Sequence, residues 1–165
     1  MRNRYNYVFD NITSTYNFTT KNNILYRVAF IVDHTFSTIS GEDIPNVFQL
    51  VIEKANEEIE PLDINVSWTI GDIVETFFEN AENSLVYICS DTDNRASTRL
   101  ETFDRWYKRS EAKENIVKLD KIIQIEINKE FHKLYTAFMF HKRNPNYKKL
   151  LEIYNSLERF LNEEK

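Results

Sequence analysis

The sequence predicts an α+β domain with a mostly antiparallel sheet and helices packed against it, in the order ββββ-α-β-α-ββ-α. Three observations carry that prediction. Much of the first fifty-five residues alternates apolar and polar positions, as half-buried strands do. Residues 70–79 switch to helical spacing. Two further strand-like runs, 121–127 and 131–140, flank a short turn.

Taken in order, Tyr5 to Phe9 alternates and so does Tyr16 to Thr19. Lys21-Asn22-Asn23 reads as a tight turn, because Asn tolerates positive φ. A third strand follows at 24–32, with Ile24, Tyr26, Val28, Phe30 and Val32 on one face. Residues 34–46 carry Gly41, Pro45 and polar residues and read as a loop. The fourth strand, 47–55, points Phe48, Leu50 and Ile52 one way. Ile70, Ile73, Val74, Phe77 and Phe78 then fit the i, i+3, i+4, i+7, i+8 helix template. Thr69 reads as that helix's N-cap, with Asp72 at N3 and Trp68 as a hydrophobic staple on Ile73. Asn128-Lys129-Glu130 joins the last two strands as a hairpin. Asn144 as N-cap and Pro145 at N1 open a final helix whose stripe is Tyr147, Leu150, Leu151, Tyr154, Leu157 and Leu161.

A chain of 165 residues with 42% hydrophobic content is expected to form one domain over residues 1–165. No apolar run is long enough to span a membrane, and the first residues lack a signal-peptide core, so a soluble cytoplasmic protein is expected. One cysteine, Cys89, excludes an internal disulfide. Two glycines, Gly41 and Gly71, are too few for a Walker loop or a dinucleotide fingerprint. His34, His132 and His141 have no metal-ligand spacing, so no metal and no cofactor are expected. Tyr5, Tyr7, Tyr16, Phe18 and Tyr26 read as cross-strand packing, because few basic residues accompany them. Nucleic acid is therefore not an expected partner. Charge is segregated: residues 42–82 hold eleven acids and one base, residues 95–149 fourteen bases and seven acids.

The richest segment is 84–109. Leu85 to Cys89 is a continuous apolar run, as in a strand covered on both faces, and it would leave Cys89 buried and inert. Asp91, Thr92, Asp93 and Asn94 supply cap chemistry for a helix from about 94 to 109. Arg95, Arg99, Thr102 and Trp106 form one stripe of that helix, distinct from Ala96, Leu100, Phe103 and Tyr107. Two guanidiniums near a positive helix end suit a phosphate or carboxylate. The competing reading is that Asp91 and Asp93 cap the helix and pair with the arginines. Asp91, Asp93, Arg95, Arg99 and Trp106 are thus the candidate ligand-binding residues, and none is assigned a catalytic role.

The Tyr5–Phe9 spacing, the apolar helix from Thr69 and the block around Cys89, Asp91, Asp93, Arg99, Phe103 and Trp106 carry a resemblance. Together they resemble a family of small bacterial proteins, seen mainly in Bacteroidota, that forms a domain of unknown function. That resemblance implies no activity. The element order also resembles the Gcn5-related N-acetyltransferase fold, and Asn94 to Lys108 is similar to its "N-x-x-A…Y-x-K" helix. That fold holds the coenzyme A pyrophosphate on a Gly-rich turn opening the earlier helix. Here that place reads Asn65-Val66-Ser67-Trp68-Thr69-Ile70-Gly71, with its one glycine inside the helix.

Two functions follow as expectations. One is a small binding or regulatory protein without catalysis, holding a protein partner or an anionic ligand near 91–106. The other is an acetyltransferase-like enzyme using an acyl-coenzyme A. Splayed central strands with backbone N–H groups facing a cleft would favour the enzyme, and a closed, filled sheet the binding protein.

Overall fold

The computed structural model describes residues 3–56, 62–91 and 94–163. Its strands are β1 (Val8–Asp10), β2 (Thr15–Thr19), β3 (Leu25–Val32), β4 (Val47–Lys54), β5 (Ser84–Ser90), β6 (Ile116–Ile127) and β7 (Glu130–His141). They form one sheet in the order β1-β2-β3-β4-β5-β7-β6, antiparallel throughout except for β4 beside β5. The helices are α1 (Thr35–Ser40), α2 (Ile64–Phe77), α3 (Ala96–Arg109) and α4 (Tyr147–Glu163), with a 3₁₀ turn at Glu111–Glu114. The α+β class and the mostly antiparallel sheet are as the sequence predicts.

Both sheet faces are covered around β5, and the period-two alternation divides its side chains between two cores. Leu85 packs with Ile70, Ile73, Val74 and Phe103 beneath α2 and α3. Val86, pointing the other way, packs with Phe36, Phe138, Leu150, Tyr154 and Leu157 beneath α1 and α4. The tyrosine-rich beginning of the chain packs ring on ring as expected: Phe18 and Tyr26 stack with centroids 5.1 Å apart, and Tyr7, just before β1, meets Tyr16 edge to face at 5.8 Å. At the last hairpin Asn128 and Lys129 both adopt positive φ, 52° and 66°, as a two-residue type I′ connection requires.

Four expectations are corrected. Residues 5–7 are not in a strand. The Tyr5 N–H donates to Thr69 Oγ1 at 2.8 Å and the Tyr7 hydroxyl to Asp72 Oδ2 at 2.7 Å, so this segment is drawn onto α2. Thr69 is not an N-cap: α2 begins a turn and a half earlier, where Asp63 accepts from Asn65 N–H at 2.9 Å. Polar residues at Asn65 and Ser67 hide that first turn from the apolar pattern. The 34–46 loop contains α1, started by Asp33 accepting from Thr35 N–H at 2.9 Å and stopped by Gly41 at φ 69°. Finally, α4 begins at Tyr147, and Asn144 instead organises the preceding turn by accepting from Asn146 N–H at 2.9 Å.

Candidate functional site

The parallel neighbours β4 and β5 pair through Val47–Ser84, Phe48–Leu85 and Gln49–Val86 only, although β4 continues to Lys54 and β5 to Ser90. The strands therefore part. Which peptide groups face the opening follows from the ladder's alternation. Asp33 N–H donates to Val47 C=O and Ala55 N–H to Leu25 C=O, so the odd residues of β4 bond to β3. Ser84 N–H donates to Asn46 C=O, so the even residues of both strands turn toward each other. Beyond the last pair, the peptide groups of Ile52 and Ile88 face the gap.

Helix α3 roofs this gap, giving an open cleft of about 870 Å³. Leu50, Ile52, Tyr87, Phe103 and Trp106 supply an apolar lining, while Lys54, Arg95 and Arg99 bring positive charge. Nothing acidic lines it among the described residues. The roof is fixed from behind. Lys118 on β6, 2% exposed at its side chain, pairs with Asp104 at 3.2 Å and also with Asp120, and lies 5.9 Å from the Phe103 ring centroid. Burial would raise the Asp104 carboxyl, but Lys108 and Lys118 outweigh it and hold the group below its ordinary value. The Tyr107 hydroxyl donates to Ile116 C=O at 2.7 Å, and burial, with Asp104 and Asp120 nearby, pushes its pKa up.

Of the predicted residues, Arg95, Arg99 and Trp106 come together on the cleft side of α3. Arg95 occupies the N-cap position and Arg99 donates from Nη1 to Cys89 Sγ at 3.4 Å. Asp91 does not line the cleft. Its Oδ1 accepts from Ala96 N–H at 3.3 Å, the capping role that one of the two readings gave it. Asp93 lies outside the described residues. Cys89 is half-buried rather than buried. It sits near the end of β5 where β4 has already moved away, so the strand is no longer sandwiched there. Lys54, Tyr26 and Tyr87 were not among the candidate ligand residues, Tyr26 reading only as cross-strand packing and Tyr87 as part of a buried run, because only the parting of β4 from β5 brings them to one cavity.

The start of α2 is different. Asp63 caps it and also accepts from the Tyr5 hydroxyl at 2.5 Å. A carboxylate already answers the N–H groups that a pyrophosphate would use.

Residues 62–156 match the family of unknown function DUF6169, and the chain belongs to that family. The structure is also similar to "Crystal structure of a putative phosphinothricin N-acetyltransferase", at 12% identity and a TM-score of 0.44, covering 75% of this chain and 68% of that one. No curated protein matches the sequence. Among the described residues no helix is long and apolar enough to cross a membrane, and no group of His, Cys, Asp or Glu could hold a metal ion.

Proposed function

We propose that the protein binds a small anionic ligand with an apolar or aromatic body in the cleft between β4 and β5, without a chemical step assigned to any residue. The parting of the strands after Gln49–Val86 carries this reading, because it opens an apolar slot directly beneath the basic stripe of α3. Arg95 and Arg99 take the anionic group through forked N–H donors. Trp106, Tyr87 and Phe103 flank the body of the ligand, in the usual arrangement of an apolar pocket with a few convergent polar groups.

A thermal-shift series with inorganic phosphate, phenylacetate and acetyl-coenzyme A tests it. Phenylacetate is expected to raise the melting temperature, and Arg95→Ala with Arg99→Ala to abolish the rise. Lys at both positions is expected to restore it only partly, since charge is kept but the fork is lost. No rise with any anion, or a rise indifferent to both arginines, would remove this site.

The acyl-coenzyme A enzyme is the second reading, favoured by the same parting of the strands and by the peptide groups of Ile52 and Ile88 facing the gap. The Asp63 cap weighs against it, because a diphosphate at the start of α2 would meet that carboxylate. A multi-degree rise with acetyl-coenzyme A and none with phenylacetate would put this reading first.

A further inference from the structure

Each wall of the cleft between β4 and β5 is bound along its outer side. β4 keeps register with β3 as far as Lys54, and β5 with β7 as far as Ser90. The gap is therefore bordered by two intact strand edges, not by frayed ends. The last bond of the shared ladder runs from Leu50 N–H to Val86 C=O, as the Gln49–Val86 pair requires. The next would run from Ile88 N–H to Leu50 C=O, and there the pairing has ended. A donor on one wall and an acceptor on the other thus face each other just beyond the apex, on half-buried residues. Backbone groups so placed call for partners.

A trans amide points its N–H and its C=O in opposite directions. One such group lying in the gap accepts from Ile88 N–H and donates to Leu50 C=O at once, taking the place of the missing bond. A simple aryl carboxylate has no donor for Leu50. The rest of the lining fixes what flanks the amide. Arg99 Nη1 reaches Cys89 Sγ at 3.4 Å and so stands over the residue that follows Ile88. A carboxylate taken by Arg99 then lies about one backbone residue from the amide, the spacing within an α-amino acid. Arg95 follows the end of β5, whereas Phe103 packs with Leu85, where the strands are still paired. Charge is thus at the mouth and the rings lie toward the closed end, with Tyr87 and Phe103 stacked at 5.9 Å.

We infer that the cleft binds an N-acylated aromatic amino acid, its amide bridging Leu50 C=O and Ile88 N–H. The carboxylate lies on Arg95 and Arg99 and the side chain against Tyr87, Phe103 and Trp106. This rests on the anion-binding reading of the cleft and adds the amide to it. With the carboxylate at the mouth, the acyl group points to the Gln49–Val86 end, where the strands close, so it must be short. A polypeptide ending in the same residue would have to continue through that closed end.

Calorimetric titration of the full chain with four carboxylates tests the inference: hydrocinnamate, N-acetyl-L-phenylalanine, its ester analogue O-acetyl-phenyllactate, and acetyl-Ala-Ala-Phe. N-acetylphenylalanine is expected to bind about tenfold tighter than hydrocinnamate, and the ester to lose that gain with the N–H. The tripeptide is expected to bind no better than hydrocinnamate. Hydrogen exchange of the Ile88 amide should slow when N-acetylphenylalanine binds and not when hydrocinnamate does. An amide that adds nothing, an ester that binds equally well, or an Ile88 amide that exchanges as before would overturn the inference. Binding of hydrocinnamate that is lost in Arg95→Ala with Arg99→Ala would in that case leave the cleft reading standing. Tripeptide binding as tight as that of N-acetylphenylalanine would put a chain terminus in place of the small molecule. No arginine-dependent binding by any of the four would overturn both readings.

Discussion

β5 has two neighbours and the two sides of it could hardly differ more. Toward β7 it is paired over seven residues, and that flank is closed by Phe138, Tyr154 and Leu157, each at most 2% exposed. Toward β4 it is paired over three, and Leu50, Ile52 and Tyr87 remain half-buried around a cavity. The same central strand thus anchors a filled core on one side and forms one wall of a cleft on the other. Stability is expected to reside on the first side and ligand capacity on the second. Binding surfaces are commonly drawn from the less tightly packed part of a fold.

Truncation on the two sides gives the largest contrast. Phe138→Ala removes a fully buried ring that contacts Phe36, Phe140 and Tyr154 and should cost about 3–5 kcal/mol. Leu50→Ala, from a half-buried wall, should cost roughly 1 kcal/mol. Urea denaturation of both variants checks this, and equal losses would mean that the two flanks of β5 are not energetically distinct.

A polar pair sharpens the picture of the closed flank. The Thr136 hydroxyl donates to Lys121 C=O at 2.7 Å, so across its 2.8 Å contact with Tyr154 it is the tyrosine that donates. Burial pushes the Tyr154 pKa up, with Thr136 opposing it, which agrees with a hydroxyl kept neutral in the core. Thr136→Val strands the tyrosine O–H and should cost about 1–3 kcal/mol, whereas Tyr154→Phe removes only one donor and should cost about 1 kcal/mol. The order of the two denaturation midpoints tests the direction of the bond.

How much of this was written in the sequence depends on distance along the chain. Local periodicity suffices for β2 to β5, for the apolar half of α2 and for the stripe that sets Arg95, Arg99 and Trp106 apart from Ala96 and Phe103. It fails where a partner far away decides the conformation. Tyr5 and Tyr7 alternate as a strand would, yet Thr69 and Asp72, more than sixty residues on, draw them off the sheet edge. α1 has six residues, too few for a period to register. The parting of β4 and β5 has no local signature at all, since both segments read as ordinary strands and only their mutual register reveals where pairing stops.

The corrected start of α2 bears on the open side, because it decides whether an anion can dock there. Asp63→Ala should cost about 1 kcal/mol as the loss of a true cap. Thr69→Ala should cost about as much for a different reason, leaving the Tyr5 N–H without its acceptor. Hydrogen exchange tells them apart. The first variant should expose the amides around Asn65, and the second those around Tyr5. Faster exchange of the α2 amides in Thr69→Ala alone would restore Thr69 as the helix start.

The smallest expected effect is a pH dependence at the end of β7. Burial lowers the His141 pKa below its ordinary 6.5, and the neighbouring Arg143 charge lowers it further. The unfolded ring therefore takes up a proton before the folded one does. Above about pH 6.5 both are neutral and the native state keeps its full advantage; as pH falls from there through the folded pKa, stability is lost. His141→Asn keeps an acceptor near Arg143 N–H but cannot titrate. Wild type should lose more stability than this variant between about pH 7 and about pH 5.5, measured as urea midpoints. Identical slopes would show that the ring is as easily protonated in the folded chain as in the unfolded one. Burial at the closed end of β7 would then have no electrostatic consequence.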